Sequence, residues 1–172
     1  MRDIPTKFII AGSKDLALRG TIRKKMRQAG LQCNCIRCRE YGHRLRDGWQ
    51  VGRPGPTRLD YDTSGGREVF LSYEDEYETL FGLLRLRVSE GRAMVRELHI
   101  FGAEVALGER VEGAAQHQGF GEGLLRQAER IASEEFGSHE LMVLSGVGAR
   151  EYYRSLGYGL RGAYMVKELQ AI

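Results

Sequence analysis

The segment that most constrains this chain is the glycine-rich stretch of residues 116–123, which reads Gln-His-Gln-Gly-Phe-Gly-Glu-Gly. An apolar series with helical spacing follows it, at Leu124, Leu125, Ala128, Ile131 and Ala132. The glycines are therefore predicted to open a helix. Because the first helical turn leaves its amide N–H groups unpaired, and glycine has no side chain in the way, an anion can approach the positive end of the helix dipole. The stretch predicts an anion-binding site, the alternative being a loop that only caps the helix.

The spacing of the glycines narrows the kind of anion site. It matches neither the G-x-G-x-x-G of dinucleotide-binding folds nor the G-x-x-x-x-G-K-[ST] of nucleotide-binding P-loops. Gln116, Gly119 and Gly121 resemble instead the Q/R-x-x-G-x-G/A motif of GNAT acetyltransferases. In that family the loop holds the pyrophosphate of acetyl-CoA, so the resemblance implies the same ligand here.

Size and composition are those of one globular domain. The chain has 172 residues, 42% of them hydrophobic and 28% charged, which is enough to bury a core. No apolar run approaches the length of a membrane span, and the first residues do not begin a signal peptide. We therefore expect a cytoplasmic protein with no membrane partner.

Charge is distributed unevenly along the chain. Residues 1–58 carry 14 Lys and Arg against 4 Asp and Glu, a net charge of +10, whereas residues 59–172 carry 12 against 19, a net charge of −7. Such a division suggests a cationic arm for a polyanion, although a solvated basic face is an equally ordinary interpretation.

The basic segment contains a predicted helix. Ser13 or Asp15 can cap a helix that runs to about Ala29 and ends at Gly30. Leu18, Ile22, Met26 and Ala29 form an apolar stripe that is expected to pack on one side. Cations are spread over the rest of the helix, at Arg19, Arg23, Lys24, Lys25 and Arg27.

All the cysteines lie in one short segment, at Cys33, Cys35 and Cys38. Three thiols within six residues of a chain without secretory signals indicate a metal rather than disulfides, because thiolates at this spacing can converge on one tetrahedral Zn²⁺. The fourth ligand is not evident, and His43 is a weaker candidate. An iron–sulfur cluster fits the spacing less well. The alternative is that the thiols are small buried side chains.

Residues 44–58 are rich in glycine and proline and are predicted as a connector. We therefore divide the chain into residues 1–58, a basic helix and cysteine-containing linker, and residues 59–172.

Alternating segments then predict an antiparallel meander of four strands, at residues 59–63, 68–73, 80–88 and 93–101. After the glycine-opened helix, residues 141–144 predict a short strand, 149–156 a short helix and 163–169 a last strand. This order is that of the GNAT fold, a mixed, mostly antiparallel α/β sheet flanked by helices.

A second motif supports the same family. The segment from Ala149 to Tyr158 resembles the A-x-x-F/Y-Y-x-x-x-G-F/Y element of GNAT enzymes. In that family the second aromatic residue, here Tyr153, lies near the coenzyme sulfur and can protonate the leaving thiolate. A phenol suits this role because it stays protonated at neutral pH and still donates a hydrogen bond. The alternative for Tyr152 and Tyr153 is packing on a short helix.

Several further segments resemble the family of the Elongator catalytic subunit. They are Arg2–Pro5, Cys38–Glu40, Ser64–Gly66, Phe70–Asp75, Gly82–Arg87, Val95–His99, Gln116–Gly121, Ser145–Gly148 and Tyr164–Lys167. The resemblance spans this chain almost from end to end, but it concerns that family's C-terminal acetyltransferase part. The family's N-terminal radical S-adenosylmethionine domain, where the iron–sulfur cluster and S-adenosylmethionine are expected, is outside this sequence. Met1 before Arg2 is therefore expected to be an engineered start or a natural truncation.

The resemblance implies a tRNA-modifying acyltransferase, in which acetyl-CoA supplies the acyl unit and the radical domain attaches it to the wobble uridine of the anticodon. Implied coenzyme contacts are Glu97, Leu98, His99 and Ile100 along a strand edge, Gln118, Gly119, Phe120, Gly121, Glu122 and Gly123 at the pyrophosphate, and Tyr153 at the thioester. Glu97 is also a candidate general base, or else a carboxylate paired with Arg96 or solvent. With tRNA as the polyanion, the five cations of the first helix are candidate tRNA contacts.

Three functions are compatible with these patterns. The first is the acetyl-CoA-binding part of a tRNA wobble-uridine acyltransferase. The second is a protein lysine or small-molecule N-acetyltransferase, which shares the GNAT motifs but does not need a cationic arm. The third is a non-catalytic acetyl-CoA or RNA binding module, which Tyr153 disfavours. The basic arm favours the first.

Overall fold

A computed structural model describes Gly12, residues 17–102 and residues 119–169. The chain divides into two compact units, Met1–Cys38 and Arg39–Ile172. This division lies at Cys38, whereas the division predicted at residue 58 follows the change in charge. None of the helices in the described part of the chain is long and apolar enough to cross a membrane.

The first unit contains helix α1, Leu18–Gln28. It ends as predicted, because Gly30 has the positive φ of 70° that glycine adopts more readily than other residues. The predicted caps Ser13 and Asp15 lie outside the described residues. The predicted packing of the apolar stripe is wrong: α1 buries none of its residues, and Leu18 and Ile22 are 44% and 49% exposed.

Two short helices occupy positions that the sequence pattern did not mark as helical, α2 at Ile36–Arg39 and α3 at Tyr41–Arg46. Helices of four and six residues are too short to show a period. The predicted connector of residues 44–58 is therefore wrong at both ends, since α3 extends into it and the first strand begins at Gly55.

The second unit is built on a seven-stranded sheet in the order β1-β2-β3-β4-β5-β7-β6. The strands are β1 Gly55–Thr63, β2 Gly66–Glu74, β3 Leu80–Ser89, β4 Arg92–Ile100, β5 Glu140–Val143, β6 Gly159–Arg161 and β7 Tyr164–Glu168. All neighbours are antiparallel except β4 and β5, which are parallel. The predicted meander and mixed sheet are confirmed. Strand β6 was not predicted, because its three residues are all exposed and show no alternation.

One long helix covers one face of the sheet. Helix α4, Phe120–Glu134, buries the predicted apolar series against β2, β3, β4 and β5. Leu124 and Leu125 are 0% and 1% exposed. Truncation of a leucine buried to this degree typically costs about 2–5 kcal/mol. A 3₁₀ turn, Val147–Ala149, and helix α5, Arg150–Ser155, follow β5 and add Tyr153 to the same core.

Candidate active site

The edge of β4 toward β5 is paired over only part of its length. The parallel pairing joins Ala93–Val95 to Leu141–Val143 and goes no further. On the other edge, the register with β3 shifts, since Val95 pairs with Leu86 and Glu97 with Arg85, which leaves Arg96 as an extra residue. Beyond this bulge, within the described part of the chain, residues 97–100 have no strand partner on the β5 side. Their backbone groups can therefore pair with an extended ligand.

The bulge also fixes which side chains reach each face of the sheet. Leu98 and Ile100 pack on the core that α4 covers. Glu97 and His99 alternate with them. The sequence left open a Glu97 carboxylate satisfied by Arg96 or by solvent; this carboxylate lies 3.7 Å from Arg85, and its side chain is 44% exposed to solvent. The His99 ring contacts Phe101, with 4.5 Å between ring centroids. All four predicted coenzyme contacts of β4 thus lie on the strand's open segment.

Among the residues that the structure describes, no side chain caps the N-terminus of α4. Gly119 precedes the helix in the left-handed conformation, with a φ of 73°, and its carbonyl accepts the Gly123 amide at 2.9 Å. The amides of Phe120, Gly121 and Glu122 consequently precede the first intrahelical bond and have no acceptor within the helix. The Glu122 side chain is turned to Arg126, 2.6 Å away. Gln118 lies outside the described residues.

Two tyrosine hydroxyls flank this first turn. A Cβ built on Gly121 would stand 2.8 Å from the hydroxyl oxygen of Tyr152, and one built on Gly123 would stand 2.6 Å from that of Tyr73. The same Cβ on Gly121 would lie 3.6 Å from Cγ1 of Ile100. The helix terminus, α5 and the last residue of β4 therefore meet at one place.

Tyr153 and Tyr152 have different surroundings. Tyr153 is 6% exposed and packs edge-on between Tyr152 and Tyr158, with ring centroids 5.3 and 5.7 Å away. Burial raises the pKa of Tyr153, so its phenol stays protonated at neutral pH. Tyr152 is 40% exposed, and its pKa is raised to about 12 by burial, then by the nearby Tyr153 and Glu122.

Sequence reasoning did not single out Tyr152 as a site residue. Successive helical residues point about 100° apart. Since Tyr153 is largely buried, its neighbour in sequence could have been expected nearer the surface, where the Tyr152 hydroxyl meets the first turn of α4.

The three cysteines of the first unit converge. Their sulfurs lie within 4.8 Å of one another, which fits the donor set predicted for a metal. Arg19 faces them, with Nη2 at 3.2 Å from Cys35 Sγ and 3.5 Å from Cys38 Sγ. A backbone hydrogen bond from Cys38 lowers the pKa of Cys35 to about 6 against the effect of burial, and Arg19 adds to the lowering. A thiolate at neutral pH is the form that ligates a metal.

The fourth metal ligand is not found. Within the described part of the chain, no other histidine, cysteine or carboxylate joins the three sulfurs. The imidazole of His43 lies 3.7 Å from Glu40 and contacts Arg46.

The predicted tRNA contacts all lie on α1, but they do not share one environment. Arg23, Lys24 and Arg27 line a shallow surface groove with Gly20 and Gln28. Lys25 is exposed, and Arg19 is turned to the cysteine sulfurs. Arg19, which was predicted only as a tRNA contact, therefore faces the cysteine sulfurs and does not line the groove.

No protein-family model matches the chain. Individual proteins of known sequence do match it, and their names agree with one another. The chain is 51% identical to the tRNA uridine(34) acetyltransferase of Dehalococcoides mccartyi and 44% identical to the human Elongator complex protein 3, over 98% of its length in both cases. It spans only 39% and 33% of those two proteins.

A solved structure is also similar. It is that of the Methanocaldococcus infernus Elp3 with an N-terminal deletion, which matches 98% of this chain at 45% identity, with a TM-score of 0.82. This chain spans 43% of that one. The GNAT fold and the family resemblance expected from the motifs are confirmed.

Proposed function

We infer, from a likeness that spans 98% of its length, that this chain is the acetyltransferase part of the Elongator catalytic-subunit family. Its function in that family would be to bind acetyl-CoA and activate the acetyl group for modification of the wobble uridine of tRNA. The observation that carries this proposal is the meeting of an open strand edge, residues 97–100, with the N-terminus of α4, which no described side chain caps. An extended pantetheine suits the edge, and a pyrophosphate suits the helix amides.

Two side chains can serve the chemistry at the thioester. Glu97, whose side chain is 44% exposed, would accept a proton from water as the water oxygen attacks the acetyl carbonyl carbon. The carbon–sulfur bond then breaks, and the Tyr153 phenol would give its proton to the leaving thiolate, yielding acetate and coenzyme A. An ordinary phenol is already protonated at neutral pH, and burial raises the pKa of Tyr153 further, so the phenol carries its proton before the reaction.

The complete modification would need more than this chain contains. The relatives are two to three times as long, and we expect their remaining part to supply the radical S-adenosylmethionine domain with its iron–sulfur cluster. The tRNA substrate would place the activity in the cytoplasm. The cations of α1 would contact phosphates, and the three cysteines would hold a structural Zn²⁺.

Acetyl-CoA hydrolysis by this chain, with and without tRNA, tests the proposal. We expect slow hydrolysis that tRNA stimulates. Transfer of the acetyl group to a lysine peptide or a polyamine, at a rate that tRNA does not change, would instead support the N-acetyltransferase alternative. Absence of coenzyme binding would refute both.

A further inference from the structure

A buried carboxylate on the sheet face opposite α4 gathers three arginines. Glu68, on β2, is 1% exposed. It accepts hydrogen bonds from Arg85 at 2.7 Å, Arg96 at 2.8 Å and the Tyr61 hydroxyl at 2.7 Å, and Arg87 lies 3.8 Å away. We call Glu68, Arg85, Arg87 and Arg96 the arginine cluster.

The arginine cluster carries more positive charge and more donors than its centre can satisfy. Three guanidinium groups face the buried Glu68 carboxylate, and even with Glu97, 3.7 Å from Arg85, they outnumber the carboxylates by three to two. Each guanidinium has five N–H donors. Arg87 uses some of them on Thr63 and Ser64. The side chains of Arg85 and Arg96 are 33% and 47% exposed, so part of each guanidinium reaches solvent. Such a rigidly held, outward-facing fork matches the oxygens of a phosphate.

Side chains next to the cluster are exposed to solvent. Leu59 and Tyr61, on the adjacent strand β1, are 61% and 36% exposed. An exposed aromatic ring beside cations on the open face of a sheet is an arrangement that RNA-binding sheets use, with bases on the ring and phosphates on the cations. An acidic protein segment would use the cations but would have less need of the ring.

The position of the cluster links it to the reaction. Arg96 is the bulged residue directly before Glu97, and Arg85 lies 3.7 Å from the Glu97 carboxylate. Helix α4, which would hold the coenzyme pyrophosphate, covers the opposite face of the sheet. An acceptor can therefore approach the thioester from the face that carries Glu97, where the cluster lies.

We propose that the arginine cluster binds a backbone phosphate of the RNA substrate and positions that RNA at the open edge of β4. This inference rests on the proposed function for its substrate class. It adds a second RNA contact, on the sheet, to the one predicted for α1.

The test compares Arg96→Gln with Arg161→Gln, a control in which another exposed arginine that pairs with a glutamate is neutralised on β6. Affinity for tRNA is measured by filter binding at two salt concentrations. Loss of one phosphate contact should lower the slope of log affinity against log salt by roughly 0.7–0.9. We expect this loss in Arg96→Gln, little loss in Arg96→Lys, which keeps the charge, and none in Arg161→Gln.

Equal slopes for Arg96→Gln and Arg161→Gln would overturn the proposal. So would unchanged tRNA binding together with loss of binding to a poly-glutamate peptide, because the occupant would then be a protein segment. Coenzyme binding by the wild-type chain is titrated in parallel. If it is absent, the proposed function fails, whereas a slope that depends on Arg96 still supports the cluster as an RNA site.

Discussion

The hydroxyl of Tyr152 lies against Gly121 so closely that a Cβ on residue 121 would stand 2.8 Å from its oxygen. Real Cβ atoms are almost never found that close to another atom, so any larger residue at position 121 would require the partly exposed Tyr152 side chain to move. The resemblance to GNAT enzymes explains this glycine by the approach of pyrophosphate. The structure adds a second reason, which is the approach of a tyrosine from the same protein.

The first prediction separates these two reasons. Gly121→Ala should displace the Tyr152 hydroxyl and weaken binding of an unhydrolysable acetyl-CoA analogue by about tenfold, because the new methyl group and the displaced phenol would both stand at the helix N-terminus where the pyrophosphate is expected. Adding Tyr152→Phe removes the overlapping oxygen and should restore most of the affinity. Calorimetry on the two single variants and the double variant completes the cycle. If the double variant binds as weakly as Gly121→Ala, the coenzyme itself needs the glycine and the tyrosine does not.

The second prediction concerns the proton donor. Tyr153→Phe keeps the ring in the core and removes only the hydroxyl, so hydrolysis should slow about 100-fold while KM changes little. Tyr158→Phe is a matched control, because this buried tyrosine donates its hydroxyl to Glu129 on α4. A normal rate in Tyr153→Phe would remove Tyr153 from the reaction.

The third prediction concerns the metal. Purified protein should contain about one equivalent of Zn²⁺, and Cys35→Ser should lose most of it, because a half-site of three thiolates cannot spare one. His43→Ala is the comparison variant and should keep its metal, since that imidazole is engaged by Glu40 and Arg46. Elemental analysis measures both. Wild-type protein that is free of metal and equally stable with and without a chelator would contradict the prediction.

The fourth prediction concerns α1. Replacement of Lys24 and Lys25 by glutamate should weaken binding of all tRNAs to a similar extent and lower the salt dependence, because phosphate contacts position RNA without reading its sequence. Coenzyme binding, which uses the second unit, should be unaffected. Filter binding at two salt concentrations gives the slope. A slope identical to that of the wild type would show that these lysines make no phosphate contact.

The fifth prediction concerns acid stability. Burial alone would raise the pKa of Glu68, but hydrogen bonds from Arg85, Tyr61 and Arg96 outweigh it and lower the pKa to about 2. Because the folded-state pKa is below the unfolded one, the stabilisation is complete above about pH 5 and is lost as the pH falls toward 2. The difference corresponds to about 3 kcal/mol. The free energies of unfolding of wild type and Glu68→Gln, measured with urea, should therefore differ at pH 7 and converge near pH 2. A difference that does not change with pH would refute the lowered pKa of Glu68.

Local signals in the sequence were sufficient for much of the fold. The meander and α4 follow from alternation and helical period within single segments, and both are confirmed. The bulge at Arg96 and the short pairing of β4 with β5 depend on strands that are distant in sequence, so no local pattern marks them. The approach of Arg19 to Cys35, 16 residues along the chain, is of the same kind.

The sequence predicted which backbone segments form the candidate site better than it predicted the surroundings of the side chains there. The glycine loop and the strand that carries Glu97 were identified by motif. The different environments of Tyr152 and Tyr153 could be recognised only once the path of α5 was known. The arginines around Glu68 could be recognised only from the register of three strands.

Among the described residues, β4 pairs with β5 only through residues 93–95, and this has a consequence for motion. Strands β1 to β4 and strands β5 to β7 form two parts of the sheet that are joined by this short stretch of backbone hydrogen bonds. A ligand that pairs with residues 97–100 would extend the hydrogen-bonded stretch along β4. Binding of coenzyme should then slow amide hydrogen exchange in β5 and β7, which the ligand need not touch. The reason is that separation of strands β5 to β7 from β4 would require the ligand to leave first.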